Sequence, residues 1–153
     1  MNEAANIVEL PSQDERTMAI LAHVLQLVGT FIAPLVILLA KRESRFTSFH
    51  ALQALLLQIA YMALMFVFFA LWFGLFFMTI AHHPPAKDAP PPPMFFVMFP
   101  LVWLGFMGAW VVMLVVAIVY GIRAGRGEWA AYPVLGTLAR KILRIGPDGT
   151  ALA

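Results

Sequence analysis

Cysteine is absent from this chain of 153 residues, and charged residues make up only 12% of it. The lack of cysteine excludes disulfide bonds, thiolate catalysis and zinc sites built on cysteine. A soluble domain carries about twice this proportion of charge. Here 62% of the residues are hydrophobic and the mean hydropathy is +0.86. The composition is therefore typical of an integral membrane protein.

The charged residues are also missing from three long tracts, namely residues 17–40, 46–80 and 94–122. A helix needs about 20 apolar residues to cross the hydrocarbon core of a bilayer, and each tract is long enough. We therefore expect an all-α integral membrane bundle. Its expected parts are a flexible acidic N-terminus (1–13), one membrane domain (14–145, with spans at about 17–40, 48–80 and 94–122) and a flexible tail (146–153).

The basic residues predict how these spans are oriented. Eight of the ten follow the first or the third tract, whereas the 81–93 loop contains only Lys87. The positive-inside rule places the 41–50 connection and the C-terminus in the cytoplasm and the 81–93 loop outside. Because these bases lie beside apolar tracts, we expect contact with lipid and no nucleic acid partner. They are Lys41, Arg42, Arg45, Arg123, Arg126, Arg140, Lys141 and Arg144.

The first tract allows two topologies, because Gly29 and Pro34 lie near its middle. Proline removes a backbone hydrogen bond and kinks or breaks a helix. A kinked helix that spans the membrane gives three crossings and an external N-terminus. The alternative is a helical hairpin that enters and leaves on the cytoplasmic side, which gives two crossings. Ser12 and Glu15 have the spacing of a capping box, which predicts that the helix begins near Gln13.

Polar side chains recur along one face of each of the first two tracts. Interhelical hydrogen bonding would satisfy them, because polar groups that face lipid cost several kcal/mol. We expect antiparallel helices with Gln58 level with Thr30. The face is either packing or a path for a proton, ion, lipid headgroup or polypeptide. We call these residues the polar stripe: His23, Gln26 and Thr30 in the first tract, and His50, Gln53, Gln58 and Tyr61 in the second.

The sequence contains no pattern that predicts catalysis. No carboxylate enters any tract, and no serine, acid and histidine share one depth. The neighbours His82 and His83 lie in a proline-rich loop, which is a poor preformed metal site. The histidines His23 and His50 can meet only if the first tract is a hairpin. We therefore expect no enzyme, no metal and no cofactor.

A short amphipathic helix is predicted at about 133–145, between Pro133 and Gly146. On a helical wheel its apolar side chains share one arc of about 100°. We expect this helix to lie on the anionic cytoplasmic leaflet or to pack against the ends of the spans. The arc contains Val134, Leu135, Leu138, Ile142 and Ile145, and the basic residues lie on the other side.

Three segments, read in order, resemble a family of small bacterial membrane proteins of unknown function: "DERTMAILAH", "APLVILLAKRESRFTSFHALQALLLQ" and "AIVYGIRAGRGEWAAYP". That family is distantly similar to the twenty-kilodalton subunit of the chloroplast inner-envelope import translocon. The resemblance covers about 14–145 and implies a helical bundle in the bacterial inner membrane without known activity or cofactor. Leu52 and Leu56-Leu57 stand where the family often has polar residues, which thins the polar stripe. The most specific matches are Glu15-Arg16, Ala22-His23, Lys41-Arg42, Phe49-His50-Ala51 with Gln58, Gly127-Glu128 and Tyr132-Pro133.

The sequence therefore predicts a membrane scaffold or complex subunit rather than an enzyme. Its partner would be another membrane protein or a second copy of the chain. The alternative is a path for translocation or for small solutes through the polar stripe.

Overall fold

The structure, a computed structural model, describes residues 10–82, 84 and 93–152. These residues form five helices and no strand, so the prediction of an all-α fold is confirmed for the described part of the chain. Predictions about residues 1–9 and about most of the 81–93 loop lie outside the described residues. The helices are α1 (Gln13–Gly29), α2 (Ile32–Ala40), α3 (Arg45–His82), α4 (Pro93–Gly125) and α5 (Leu135–Leu143).

Helix α1 begins at the residue that the sequence predicts. The backbone N–H of Glu15 donates to the Ser12 hydroxyl at 3.3 Å, and the N–H of Ser12 donates to the Glu15 carboxylate at 2.7 Å. These two bonds form a capping box, which provides acceptors for backbone donors that the start of a helix leaves without internal partners. The predicted start at Gln13 is confirmed.

The chain breaks between α1 and α2 at Thr30. A Cβ atom on Gly29 would lie 2.7 Å from the Cβ of Ala33, so the turn requires glycine there. Thr30 has φ 50° and ψ −136°, a backbone conformation that residues with side chains rarely adopt. Pro34 then lies in the first turn of α2, where a missing N–H removes no helical bond. Pro34 therefore begins a second helix instead of kinking one long helix.

Helices α1 and α2 form a hairpin whose outer ends meet. The Lys41 Nζ atom lies 2.8 Å from Oδ2 of Asp14, and the Ser44 hydroxyl donates to Oε1 of Glu15 at 2.6 Å. A helix that crossed the bilayer between Asp14 and Lys41 would hold these residues about 30 Å apart. The contacts match the hairpin alternative and not a single kinked helix across residues 17–40. A third crossing is not confirmed.

The described residues fall into two compact units. The first contains α1, α2, α3 up to Ile59, and the chain from Val115 through α5. The second contains the described residues from Ala60 to Leu114.

In the first unit, the start of α3 is the central element. All its residues from Phe46 to Leu55 are buried. Phe49 and Leu52 pack against Ala139 of α5, whereas Ala51 packs against Ala22 of α1 and Ile37 of α2. Side chains from three other helices therefore cover the part of α3 that carries most of the polar stripe.

In the second unit, the exposed surface is apolar. None of the described residues of α3 from Ala60 to its end is buried, and most of them are large hydrophobic side chains. Two helices are long and apolar enough to cross a membrane, Arg45–His82 and Phe96–Gly125. These two segments correspond to the second and third spans predicted from the sequence. An apolar groove of about 420 Å³ is lined by residues that include Phe68 and Leu71 of α3 and Val102 of α4.

Helix α5 lies within the predicted segment 133–145 but buries a different face from the one that the helical wheel groups together. Ala139 and Ile145 are buried and Leu135 is half-buried, whereas Leu138 and Ile142 are exposed. The single apolar arc is therefore divided, because α3 covers only one side of the helix.

The tail predicted as flexible forms a turn at residues 145–152 in this structure. The N–H of Gly146 donates to the carbonyl oxygen of Thr150, and the N–H of Leu152 donates to that of Arg144. Gly149 has a φ of 84°, and a Cβ atom there would overlap the ring of Trp129. The turn therefore requires glycine beside Trp129.

Candidate functional site

Most of the polar stripe lies inside the first unit. Thr30 is exposed at the turn of the hairpin, and Tyr61 is half-buried in the second unit, where it lines a second apolar groove of about 490 Å³. The other members are buried: His23, Gln26, His50, Gln53 and Gln58. The candidate site is the cluster that His23, His50 and Gln53 form with the connection between α4 and α5.

The two histidines are in direct contact. The Nε2 atom of His23 lies 3.0 Å from Nδ1 of His50, and neither side chain reaches solvent. Helices α1 and α3 run parallel, because their contacts follow the same order along both helices. These contacts are Glu15–Ser44, Ala19–Phe46 and His23–His50. The prediction of antiparallel helices is therefore wrong for α1 and α3, because α2 returns the chain to the start of α1 before α3 begins.

Tyr132 and Glu128 extend this contact at both ends. Nε2 of His50 lies 3.1 Å from the Glu128 carbonyl oxygen, and the Tyr132 hydroxyl lies 2.7 Å from Nδ1 of His23. A carbonyl oxygen only accepts, so Nε2 of His50 carries the hydrogen and Nδ1 is its acceptor. Then His23 donates from Nε2 to His50, and Tyr132 donates to His23. The hydrogen bonds therefore all point in one direction, from Tyr132 through His23 and His50 to the Glu128 carbonyl oxygen, and every ring nitrogen has a partner. We call this series of hydrogen bonds the bond chain.

Gln53 makes a second connection from α3 to the same segment. Its Nε2 atom donates to the Ala130 carbonyl oxygen at 3.2 Å, and its Oε1 atom accepts from the backbone N–H of Tyr132 at 2.6 Å. One side chain therefore holds two backbone groups that belong to no helix. Without Gln53 these groups would be buried and unpaired, which costs about 1–3 kcal/mol each.

Aromatic rings surround the bond chain. The rings of Phe46 and His50 lie 4.6 Å apart between centroids, and the ring of Trp129 lies 5.1 Å from that of Phe46. Tyr120 of α4 packs edge-on against Tyr132 at 4.4 Å. Burial among these groups raises the pKa of the Tyr132 hydroxyl, so this residue keeps its proton and acts as a donor.

Two buried amides have unused hydrogen-bonding atoms. Within the described part of the chain, neither amide atom of Gln26 makes a hydrogen bond of good geometry, and Oε1 of Gln58 has no partner. The Gln26 amide lies close enough to the Tyr132 hydroxyl to favour its ionised form, although burial outweighs this effect on the pKa. Gln26 therefore borders the site without belonging to the bond chain.

The predicted topology residues fall into two groups. Three are held by contacts: Lys41 pairs with Asp14, Arg123 pairs with Glu128, and Arg140 donates to the carbonyl oxygens of Trp129 and Pro147. The others have exposed side chains: Arg42, Arg45, Arg126, Lys141 and Arg144. The second group is available to an anionic surface.

The site contains few titratable side chains. These side chains belong to two histidines and two tyrosines. The carboxylate of Glu128 points away from the site and pairs with Arg123. No three His, Asp or Glu residues converge anywhere in the described residues. The arrangement is suited to holding α1, α3 and the α4–α5 connection together.

Sequence reasoning missed Tyr132, Tyr120 and the backbone acceptors at Glu128 and Ala130. These groups lie after the third apolar tract or at its end, and the connection has no helical periodicity to place them beside α1. The pair Tyr132-Pro133 was among the residues that carry the family resemblance. This pair and Gly127-Glu128, which also carried the resemblance, were the sequence signals that marked this segment.

Comparison with protein families decides where the chain belongs. Residues 14–139 match the model of the magnetosome magnetite crystal formation protein family. The chain belongs to this family. The resemblance to a small bacterial membrane protein family is thereby confirmed, whereas nothing supports the similarity to the chloroplast translocon subunit. No curated protein and no solved structure matches the chain.

Proposed function

We propose that this member of the magnetosome family is a non-catalytic membrane scaffold that acts in the formation of magnetite crystals. The family description supplies the process, and α3 and α4 supply two helices of spanning length. One observation supports a scaffold best. The bond chain from Tyr132 through His23 and His50 to Glu128 leaves no ring nitrogen free for a substrate.

In the proposed topology, the bilayer surrounds the apolar part of α3 that begins at Ile59. Residues 59–80 are about 33 Å long at 1.5 Å per residue, which fits a hydrocarbon core of about 30 Å. A second crossing by α4 returns the chain to the starting side. With the hairpin confined to one side, both ends of the described chain lie in the cytoplasm. The exposed bases of the 41–45 turn and the C-terminal part favour this orientation.

The partner of the scaffold is another membrane protein or a second copy of this chain. Support comes from the large hydrophobic side chains that the second unit exposes along α3 and α4. Lipid acyl chains cover such surfaces in a monomer, and protein helices replace them in a complex.

Deletion and complementation in the native host test the proposed role. Crystal number and size are measured by electron microscopy in strains that carry no copy, the wild type, His50→Leu or Met62→Leu. Met62 is exposed and serves as the matched control. We expect the wild type and Met62→Leu to restore the crystals lost on deletion, and His50→Leu to restore fewer at equal membrane abundance. A deletion strain with unchanged crystals would reject the role.

A translocation path through the polar stripe is the competing hypothesis, and ion or solute flux distinguishes it. The purified protein is placed in liposomes and compared with Gln58→Leu and with empty liposomes. A scaffold gives background flux in all three. Flux that the wild type shows and Gln58→Leu lacks would replace the scaffold with a path.

A further inference from the structure

Helix α5 presents an apolar surface that no described residue covers. Val134, Leu138 and Ile142 are 81%, 43% and 55% exposed. Residues spaced by four lie on one side of a helix, so Leu138 and Ile142 share one side of α5, and Val134 stands at its N-cap, one turn before Leu138. We call them the apolar ridge.

The opposite face of α5 is packed tightly. Gly136 and Ala139 are buried, and a Cβ atom on Gly136 would lie 2.5 Å from the Cβ of Ala131. Ala139 joins Phe49 in the largest apolar cluster of the first unit. This packing fixes the rotation of α5, so the apolar ridge is held outward and cannot turn into the core.

Two free basic side chains lie along one side of the apolar ridge. Lys141 and Arg144 are exposed, and no acidic side chain pairs with either among residues 10–82, 84 and 93–152. Arg140 differs, because its guanidinium group bonds to two backbone carbonyl oxygens and lies 5.4 Å from the Phe49 ring centroid. Helix α5 contains no acidic residue. Its outer surface therefore combines apolar side chains with charged side chains that are all basic.

We propose that the apolar ridge, with Lys141 and Arg144, docks on the anionic leaflet of the bilayer that α4 crosses. Charge selects this occupant, because apolar side chains flanked by cations suit a surface of acyl chains and anionic headgroups. Position also permits it, since α5 packs against Leu52, about 10 Å along α3 from Ile59, where the proposed span begins. The inference rests on the proposed function only in requiring that α4 is a membrane helix.

The structure makes this docking shallower than the helical wheel predicts. Leu135 and Ile145 belong to the packed side, so three of the five residues in the predicted arc remain to enter the leaflet. The two cations therefore contribute much of the affinity for the leaflet, because each raises the binding constant about fivefold. Docking should depend strongly on the content of anionic lipid.

Site-specific fluorescence in proteoliposomes tests the docking, and the absence of native cysteine makes single labels simple. The full chain carries Ile142→Cys on the apolar ridge or, as the matched control, Thr137→Cys, which is exposed on the side of Lys141, about 140° around the helix from Ile142. Each is labelled with an environment-sensitive fluorophore. Vesicles contain either phosphatidylglycerol with phosphatidylcholine or phosphatidylcholine alone. Quenching is measured with spin-labelled lipid and with aqueous iodide.

We expect spin-labelled lipid to quench the label at residue 142 at least about twofold more than the label at residue 137 in anionic vesicles. Quenching at residue 142 should fall by about half or more in phosphatidylcholine alone, and also when Lys141→Gln and Arg144→Gln are added. Equal lipid quenching at the two positions would overturn the proposal. So would a label at residue 142 that neither quencher reaches, because a protein partner would then cover the apolar ridge. Either result would leave the outcome of the complementation experiment unchanged, so the docking can be wrong while the proposed function holds.

Discussion

His23 on α1 and His50 on α3 share one hydrogen bond of 3.0 Å, although 27 residues separate them in the chain. The contact exists because the hairpin of α1 and α2 brings the chain back before α3 begins. It is also directional, since the Glu128 carbonyl oxygen beyond His50 can only accept. The direction of this bond and the shape of the hairpin lead to the following predictions.

Both histidines should be neutral and should carry their hydrogen on Nε2. Nitrogen NMR of the protein with labelled histidine distinguishes a protonated ring nitrogen from an unprotonated one. We expect two buried rings with protonated Nε2 and unprotonated Nδ1. A buried ring with the hydrogen on Nδ1 would contradict the bond direction derived from the Glu128 carbonyl.

The two histidines should be energetically coupled. His23→Leu or His50→Leu alone leaves a buried nitrogen without its partner, so each should lower the free energy of unfolding by about 1–3 kcal/mol. The double variant should cost less than the sum of the two, because it removes both partners of the shared bond. Unfolding in mixed micelles measures the three values. Simple additivity would show that the contact contributes nothing.

Thr30→Gly should stabilise the protein by about 1 kcal/mol. Thr30 has a positive φ that costs about 1–3 kcal/mol for a residue with a side chain, and glycine adopts it without this cost. Thr17→Gly is the control, because Thr17 lies inside α1 and glycine there should destabilise the helix. If residues 17–40 formed one continuous helix, both changes would lower the unfolding free energy.

Acid should weaken the junction between α1 and α3 through Glu15. The hydrogen bond from Ser44 lowers the pKa of this carboxylate below its ordinary value of 4.5. A lowered pKa contributes stability that is complete above about pH 4.5 and is lost as the pH falls through the folded-state value. The loss in unfolding free energy between pH 7 and pH 3 should therefore be larger in the wild type than in Glu15→Gln. Equal losses would show that Glu15 has no part in the pH dependence.

Labelling from outside the cell should place the start of α1 on the same side as the 41–45 turn. We expect single cysteines at Gln13 and Glu43, both exposed, to resist an impermeant thiol reagent in intact cells and to react after lysis. A cysteine at His82, at the far end of α3, should react in intact cells. If the cysteine at Gln13 reacted in intact cells and the one at Glu43 did not, residues 17–40 would have to cross the membrane.

The long helices and the start of α1 could be predicted from the sequence because each depends on neighbouring residues. The apolar tracts define α3 and α4, and the capping box of Ser12 and Glu15 defines where α1 begins. Pro34 showed that the first tract is interrupted. It could not show whether the chain bends or turns back, since both depend on what α2 packs against.

The candidate site could be predicted only in part, because half of it comes from an irregular segment. His23, His50 and Gln53 were identified by helical spacing. Tyr132 could not be, since nothing in the spacing of residues 126–134 places its hydroxyl beside His23. The strong curvature at Val134, whose φ is 63°, carries the chain from Tyr132 into α5. A β-branched residue gives no sequence signal for such a conformation.

Magnetite is an iron oxide, and imidazole nitrogen is a ligand that iron accepts readily. A neutral imidazole has one nitrogen lone pair to offer, and in His23 and His50 that lone pair already accepts a hydrogen bond, from Tyr132 and from His23 respectively. Dissolved iron must break a bond in the core to reach either ring. The hydrogen bonds of the first unit therefore keep His23 and His50 from binding iron.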